Sequence, residues 1–214
     1  KITEMLRVVI CICMREKYIV GIDEVGRGPI AGPVAVCAFV CQTKNYELLI
    51  ARGVEHTGVS VRDSKKLTKI QREKWFAFLH SEKQKGNCDF SVSYVSASMI
   101  DSFGIVPAIK KALSTSLSKV VSDQTETLIY LDGGLKADEK YANQETFIKG
   151  DELHPVISFA SIVAKVSRDR VMCSHAKEYP VYGFDSHAGY GTKAHYEAIK
   201  NHGITPLHRK TFIS

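Results

Sequence analysis

Three short strand-like runs in this chain each end on an aspartate or shortly precede one. This arrangement restricts the fold more than any other feature of the sequence. The runs are residues 18–23, 127–132 and 145–149. Their length and their β-branched and aromatic content are typical of β-strands. Asp23, Asp132 and Asp151 stand at or just after the ends of the runs, and Glu24 follows Asp23 directly. If the strands are neighbours and point suitably, their ends bring four carboxylates together.

A cluster of carboxylates favours one kind of chemistry. Like charges raise one another's pKa, so the cluster needs a positive counter-charge. Hard divalent cations such as Mg²⁺ and Mn²⁺ supply it, because they prefer oxygen ligands and are often completed by substrate phosphates. An aspartate at a strand end can also be an ordinary turn residue or helix cap, and the sequence alone does not establish that the strands are neighbours.

The remaining predicted elements indicate an α/β fold. Two further runs, residues 34–41 and 90–95, are typical of strands. Helical spacing or capping signals predict helices from Thr68 to about Glu82, over 107–121, from Pro155 toward Tyr179, and over 193–201. We expect one domain over residues 1–214, with a helical C-terminal part from about 180 to 214.

Composition and charge narrow the class of protein. The net charge of +6 fits a polyanionic partner, although charge alone does not identify one. No apolar run reaches the ~18 residues of a membrane helix, and residues 5–14 lack the cleavage site of a signal peptide, so we expect a folded N-terminal element. The six cysteines contain no C-x-x-C pair, which favours reduced, buried thiols in a cytoplasmic protein.

A glycine-rich segment follows the first acidic pair. Gly26, Gly28 and Ala31 match the dinucleotide pattern G-x-G-x-x-A, but Gly32 and Pro33 lead into a strand where that motif requires a helix. The glycines instead allow close approach of the backbone to a ligand. An arginine between them, Arg27, can bind a phosphate or ribose oxygen, and contacts to a 2′-hydroxyl would distinguish RNA from DNA.

Residues 21–34, GIDEVGRGPIAGPV, resemble the signature segment of the type 2 ribonucleases H, and within them bacterial ribonuclease HII. Further matches follow in the order of that family. They are DSKKL at 63–67, LDG at 131–133, KGD at 149–151, SFASIVAKVSRDR at 158–170, GYGT at 189–192 and HRKTF at 208–212. The resemblance covers residues 18 to 212.

The resemblance implies a ribonuclease-H-like fold, a mixed central sheet flanked by helices, with a site for two Mg²⁺ or Mn²⁺ ions about 4 Å apart. By motif position, it assigns the catalytic and metal-binding roles to four acids. They are Asp23, Glu24, Asp132 and Asp151. It also implies substrate-binding roles in the glycine-rich segment and beyond it. These residues are Gly26, Arg27, Gly28, Lys65 and Tyr190.

The activity implied by the resemblance is that of an endoribonuclease. It would cleave the RNA strand of RNA–DNA hybrids, and it would cut 5′ of single ribonucleotides in duplex DNA. The products would carry 5′-phosphate and 3′-hydroxyl ends. The resemblance also implies a monomer, with nucleic-acid duplexes as partners and no membrane.

Other polar residues have two interpretations each. Lys165 and Asp169 can form an ion pair on one helix or support the site and approach phosphate. Six basic residues are predicted to form a duplex-binding surface, with an ordinary solvated face as the alternative. They are Lys65, Lys66, Lys69, Lys193, Arg209 and Lys210. Three histidines without metal-ligand spacing are expected at the surface or behind the site. They are His154, His187 and His208.

Two other functions compete with the nuclease interpretation. A duplex-binding protein without catalysis would use the basic surface alone, but an acidic cluster repels phosphates unless a cation neutralises it. A magnesium-dependent phosphatase for small molecules would need neither Arg27 between two glycines nor an aromatic residue that stacks on a sugar. Incubation with a duplex that carries one ribonucleotide separates the three functions.

Overall fold

A five-stranded mixed sheet forms the centre of residues 16–61, 66–122 and 124–213, the part of the chain that the computed structural model describes. Its strands, in chain order, are β1 (Tyr18–Val25), β2 (Val34–Gln42), β3 (Cys88–Val95), β4 (Thr127–Asp132) and β5 (Gln144–Phe147). Their order across the sheet is β3-β2-β1-β4-β5. Strands β1, β2 and β3 pair antiparallel, whereas β1, β4 and β5 pair parallel. The predicted strands and the mixed sheet are confirmed.

Helices surround the sheet. In chain order they are α1 (Tyr46–Thr57), α2 (Lys69–Gln84), α3 (Ala97–Phe103), α4 (Ile105–Val120), α5 (Gly150–Leu153), α6 (Pro155–Glu178), α7 (Phe184–His187), α8 (Lys193–His202) and α9 (Lys210–Ile213). The four predicted helices correspond to α2, α4, α6 and α8. Thr68 caps α2 as predicted, because its hydroxyl accepts the N–H of Gln71 while the Gln71 side chain accepts the N–H of Thr68.

Three helices, α1, α3 and the four-residue α5, have no counterpart among the predicted elements, whereas α7 and α9 lie in the C-terminal part that was predicted to be helical. Helix α1 lacks a side-chain hydrogen bond at its N-cap, Asn45, and it contains Gly53, a weak helix former. Helix α3 has seven residues, which is too few for a clear apolar period, although Ser96 caps it. Strand β5 ends at Phe147 and not at Lys149, because Lys149 adopts a left-handed conformation with φ of 57°.

Both faces of the sheet are covered. Ile19 and Phe39 lie on one face, in a core shared with Trp75 of α2 and with α1 and α6. Val20 and Ile22 lie on the other face, in a core shared with α3 and α4. Because side chains alternate along a strand, the odd-numbered residues of β1 face α6. Residue 23 therefore points toward that helix.

Helix α6 crosses β1 at very short range. A Cβ on Gly21 would overlap the backbone carbonyl of Val156 and lie 2.7 Å from the backbone nitrogen of Ile157. Only glycine permits this approach, which brings the first turns of α6 next to the carboxyl end of β1.

The C-terminal part is helical beyond Pro180, as predicted. It packs on the end of α6 around a small core that contains Met172, Tyr182, Phe184 and Ala198. This part of the chain therefore has its own apolar cluster but rests on the main helix of the sheet.

Backbone hydrogen bonds tie the C-terminal part to the segment that follows β1. The N–H of Ile30 donates to the carbonyl of Gly189 at 3.0 Å, and the N–H of Gly32 donates to the carbonyl of Leu207 at 2.8 Å. The N–H of Arg209 donates to the carbonyl of Ile30 at 2.8 Å. Two segments that are distant in sequence thus hold the glycine-rich segment from both sides.

A cluster of histidines supports these backbone hydrogen bonds. Nδ1 of His208 accepts the N–H of Thr205 at 2.8 Å, so Nε2 of His208 carries its proton and donates to Nε2 of His195 at 3.1 Å. Nδ1–H of His195 then donates to the carbonyl of Tyr190 at 2.9 Å. The ring of His187 stacks on His195 with centroids 4.5 Å apart. Burial lowers the pKa of His195 to about 4 and also lowers the pKa of His208, so both rings are neutral near pH 7.

The cysteines of the described residues are free, as the sequence predicts. Cys37, Cys41 and Cys88 are free and buried, as predicted, and Cys173 is free and partly exposed. Cys11 and Cys13, with the whole of residues 5–14, lie outside the described residues. No helix in the described ranges is both long enough and apolar enough to cross a lipid bilayer.

The close contact at Gly21 predicts a large effect on stability. We expect Gly21→Ala to lower the free energy of unfolding by roughly 2–4 kcal/mol, because the added methyl group meets backbone and not a movable side chain. Urea denaturation measures the change. Gly134→Ala is the control: no atom lies within 4 Å of its Cβ position, and we expect a change below about 0.5 kcal/mol. Equal effects of the two substitutions would contradict the packing account.

The histidine cluster predicts a pH dependence of stability. A folded pKa below the unfolded value stabilises the protein above the unfolded pKa, near 6.5, and this contribution disappears as pH falls toward 4. We expect the unfolding free energy to fall by about 2 kcal/mol between pH 7 and pH 4.5, and the fall to be smaller in His195→Gln. The control is His80→Gln, an exposed histidine on α2, which should keep the wild-type slope. A slope unchanged in His195→Gln would refute the assignment.

Candidate active site

Asp23 and Asp132 end two adjacent parallel strands. Ile22 of β1 pairs with Leu131 of β4, and both point into the same core, so the next residues, Asp23 and Asp132, share the opposite face, toward α6. Asp23 is buried. Burial raises its pKa well above the ordinary value, and the negative charges of Glu24 and Asp132 raise it further. The two aspartates thus form the predicted pair of neighbouring acids.

Hydrogen bonds orient both carboxylates. Ser161 of α6 and the N–H of Glu24, at 2.7 Å, donate to the Asp23 side chain, and both lower its pKa against the larger effect of burial. The N–H of Gly150 donates to Oδ1 of Asp132 at 2.6 Å. Each carboxylate is therefore held by a group from another element.

Asp151 reaches the same region by a helical turn. The strand before it ends early, and the left-handed Lys149 turns the chain into α5, where Asp151 is buried. Gly150 has no room for a side chain, since a Cβ would lie 2.6 Å from Cδ1 of Ile157 and 3.3 Å from Oδ1 of Asp132. Asp151 therefore directly follows the residue that contacts Asp132, but it lies in a helix and not at a strand end.

One face of α6 runs along this acidic region. Ser158 donates to the backbone carbonyl of Asp151 at 2.6 Å, and Ser161 donates to Asp23. Lys165 and Asp169 continue the same face at intervals of four residues, and their side chains form an ion pair at 2.9 Å. The roles of the two serines were not predicted, although their spacing of three residues on a predicted helix places them on one side.

Glu24 points away from Asp23 because side chains alternate along β1. One of its carboxylate oxygens lies 3.6 Å from Nη1 of Arg27, whose side chain is exposed. Glu24 therefore faces the glycine-rich turn, which we define as residues 26–33.

The four acids do not form a complete coordination shell among the described residues. Among the residues that the structure describes, no group of three or more His, Cys, Asp or Glu side chains is arranged to hold a metal ion. The donor set nevertheless fits a hard divalent cation, because it consists of carboxylate oxygens. The raised pKa of Asp23 also fits, since a bound cation would offset the free-energy cost of ionising a buried acid next to other acids.

The glycine-rich turn lies beside Tyr190. A Cβ on Gly28 would lie 3.8 Å from Cε1 of the Tyr190 ring, and that ring is 45% exposed. Gly26 has a φ of 89° and no room for a side chain, because a Cβ would overlap the guanidinium of Arg168. The structure thus brings together the backbone of the turn, Arg27 and an exposed aromatic ring at the end of β1 where the acids lie.

Arg209, predicted at the surface, and His208, predicted at the surface or behind the site, are both buried. Arg209 is fully buried behind the glycine-rich turn, so its assignment to an exposed duplex-binding surface is wrong. His208 is buried in the histidine cluster and is not a surface residue. Other predicted basic residues are exposed, as expected. They are Lys66, Lys69, Lys193 and Lys210. Lys65 lies outside the described residues.

Comparison with known proteins identifies a family. The family model described as Ribonuclease HII matches residues 20–214. A ribonuclease HII of Endomicrobium trichonymphae is 42% identical over 195 residues, which cover 91% of this chain and 84% of the relative. A ribonuclease HII of Shouchella clausii is also 42% identical, over 90% of this chain and 67% of the relative.

Solved structures share the fold. The ribonuclease H2 of Pyrococcus horikoshii superposes with a TM-score of 0.68 and 27% identity, covering 91% of this chain and 93% of that one. A Bst-RNase HIII crystallised in complex with Mn²⁺ superposes with a TM-score of 0.63, 16% identity and coverage of 93% of this chain and 68% of that one. The sheet order, the placement of the acids and the similarity over nine-tenths of the sequence lead to one conclusion: the chain belongs to the ribonuclease HII family of nucleases, which have ribonuclease H activity.

Proposed function

We propose that this chain is a metal-dependent endonuclease that cleaves the RNA strand of RNA–DNA hybrids and cuts 5′ of single ribonucleotides in duplex DNA. Residues 1–214 act as one catalytic unit, as a monomer, and the products carry 5′-phosphate and 3′-hydroxyl ends. The observation that carries the proposal is the shared face of Asp23 and Asp132 at the ends of paired parallel strands. The glycine-rich turn follows Asp23 at the same end of β1.

Two Mg²⁺ or Mn²⁺ ions are the proposed cofactor, held by four carboxylates. They are Asp23, Glu24, Asp132 and Asp151. Such ions, when bound, activate water for in-line attack and stabilise the leaving 3′-oxygen of a scissile phosphate.

The chain's own residues prepare this site. Ser161 and the N–H of Gly150 fix the directions of the Asp23 and Asp132 carboxylates. Glu24, whose carboxylate lies 3.6 Å from Nη1 of Arg27, lies between these acids and the glycine-rich turn.

Recognition of RNA rests on the glycine-rich turn. Backbone groups of Gly26 and Gly28 can approach a 2′-hydroxyl closely, because neither residue has a side chain in the way. Arg27 offers planar donors for a phosphate or ribose oxygen. Tyr190, half-exposed beside Gly28, packs on the sugar that follows the ribonucleotide.

Exposed lysines supply sequence-independent attraction to the duplex. They are Lys66, Lys69, Lys193 and Lys210. The sequence motif adds Lys65, which lies outside the described residues. Lys165 is paired with Asp169 but remains partly exposed, so this pair can support the site or approach a phosphate. Contacts of this type weaken with salt, because binding releases counterions from the phosphates.

Removal of one metal ligand tests the catalytic assignment. We expect Asp132→Asn to slow cleavage of a labelled RNA–DNA hybrid at least about 10³-fold, because a neutral amide binds a divalent cation much more weakly than a carboxylate does. The fold should persist, since the amide oxygen can still accept the Gly150 N–H, and circular dichroism and thermal melting check this. Glu145→Gln, on the exposed side of β5, is the control with the same change of charge. Near-normal cleavage by Asp132→Asn would contradict the proposal.

A duplex with one ribonucleotide tests the substrate. With Mn²⁺, we expect one cut immediately 5′ of the ribonucleotide, with a 3′-hydroxyl upstream and a 5′-phosphate downstream; without divalent metal, or in an all-DNA duplex, we expect none. Gel electrophoresis with end-labelled strands measures the position. Binding without any cleavage would instead indicate a duplex-binding protein, and hydrolysis of small phosphomonoesters alone would indicate a phosphatase.

A further inference from the structure

Two fully buried arginines lie behind the glycine-rich turn. Arg209 donates from Nη2 to the carbonyls of Gly26, at 2.6 Å, and of Gly32, at 2.9 Å. Its Nη1 donates to the carbonyl of Arg27 at 3.0 Å, and its Nε donates to Gly32 at 3.0 Å. One guanidinium thus holds three backbone carbonyls of the turn.

Arg168 of α6 extends this support to the loop that carries Tyr190. It donates to the carbonyl of Pro33 at 2.8 Å, to that of Ala31 at 3.3 Å and to that of Ala188 at 2.9 Å. The turn and the tyrosine loop are therefore fixed to the same pair of side chains.

Burial of two cations this close together is costly. Burial, together with the nearby positive charge of Arg168, lowers the pKa of Arg209 to about 10. A buried charge needs several good hydrogen bonds to be tolerated, and here backbone carbonyls provide them. The arrangement therefore specifies the directions of those carbonyls more tightly than water or an apolar contact could.

The carbonyl directions decide where the neighbouring N–H groups point. In a planar trans peptide the C=O and the following N–H point in opposite directions. Because the carbonyls of Gly26 and Arg27 point inward to Arg209, the N–H groups of Arg27 and Gly28 point away from it. These are the donors that face the side of the turn where Arg27 and Tyr190 are exposed.

We infer that Arg209 is a positioning residue, assisted by Arg168, that aims the N–H groups of Arg27 and Gly28 at the ribonucleotide. The inference rests on the proposed function. Arg209 touches no substrate: it acts through the turn. Lysine keeps the charge, but its three donors diverge from a single nitrogen. They cannot reproduce the contacts that Nε, Nη1 and Nη2 of Arg209 make from three separate positions in one plane.

The test compares Arg209→Lys with Arg170→Lys. Arg170 lies on the same helix as Arg168 but is exposed, pairs with Glu73 and stacks on Phe76, away from the turn. Each protein is titrated with Mn²⁺ by calorimetry, melted thermally, and assayed with the single-ribonucleotide duplex. We expect Arg209→Lys to bind Mn²⁺ within about twofold of wild type, because no carboxylate of the site contacts Arg209 in the described residues.

For the same variant we expect kcat/KM per Mn²⁺-binding molecule to fall at least about tenfold, because charge-assisted hydrogen bonds are lost. We also expect some cuts to move away from the phosphodiester 5′ of the ribonucleotide. Arg170→Lys should match wild type. Wild-type kcat/KM and cut position in Arg209→Lys would overturn the inference alone. Failure of the wild-type chain to cut would overturn the proposed function and the inference with it.

A second variant keeps the inference testable if Arg209→Lys does not fold. If Arg209→Lys does not fold, Arg168→Lys is measured in the same way, because it loosens the turn through Ala31 and Pro33. A tenfold fall with Mn²⁺ binding retained supports the inference. Loss of Mn²⁺ binding in both variants would show that the arginines hold the whole fold and not the turn, and would overturn it.

Discussion

The in-register parallel pairing of β1 with β4 is the constraint on which the rest of the structure depends. Backbone hydrogen bonds align Ile22 with Leu131, and strand alternation then forces Asp23 and Asp132 onto one face. Burial raises the pKa of Asp23, and the negative charges of Glu24 and Asp132 raise it further, but separating the two aspartates would break the sheet. The sheet therefore holds together an acidic pair that would separate in an unfolded chain. A cation that binds between the two carboxylates would offset their repulsion.

Different parts of the molecule position the residues proposed for catalysis and those proposed for substrate selection. The acids lie on the sheet and on α5, and they are oriented by α6. The glycine-rich turn follows the same strand β1, but segments near Gly189 and Leu207 and the side chain of Arg209 hold it in place. The helical C-terminal part is thus not an appendage, because the turn between β1 and β2 depends on it for its shape.

Much of the fold and of the acidic pair could be predicted, for definite reasons. Alternating and β-branched runs identified the strands, and the hydroxyl of Thr68 marked the start of α2 correctly. Helix α1 escaped prediction because Asn45 makes no capping hydrogen bond and Gly53 weakens the pattern. Arg209 was assigned wrongly because charge predicts exposure only on average, and its hydrogen-bond partners are backbone carbonyls, which no side-chain pattern reveals.

By itself, the sequence determined the element types, the acids that end the strands and the membership of a nuclease family, because these follow from local periodicity and from motifs of fixed spacing. Only the tertiary structure decided that Asp23 and Asp132 share a face, that Asp151 arrives by a helical turn, and that Arg209 is buried beneath the glycine-rich turn. The physical reason is that strand register, helix approach at Gly21 and burial of a charge all depend on contacts between residues far apart in the chain.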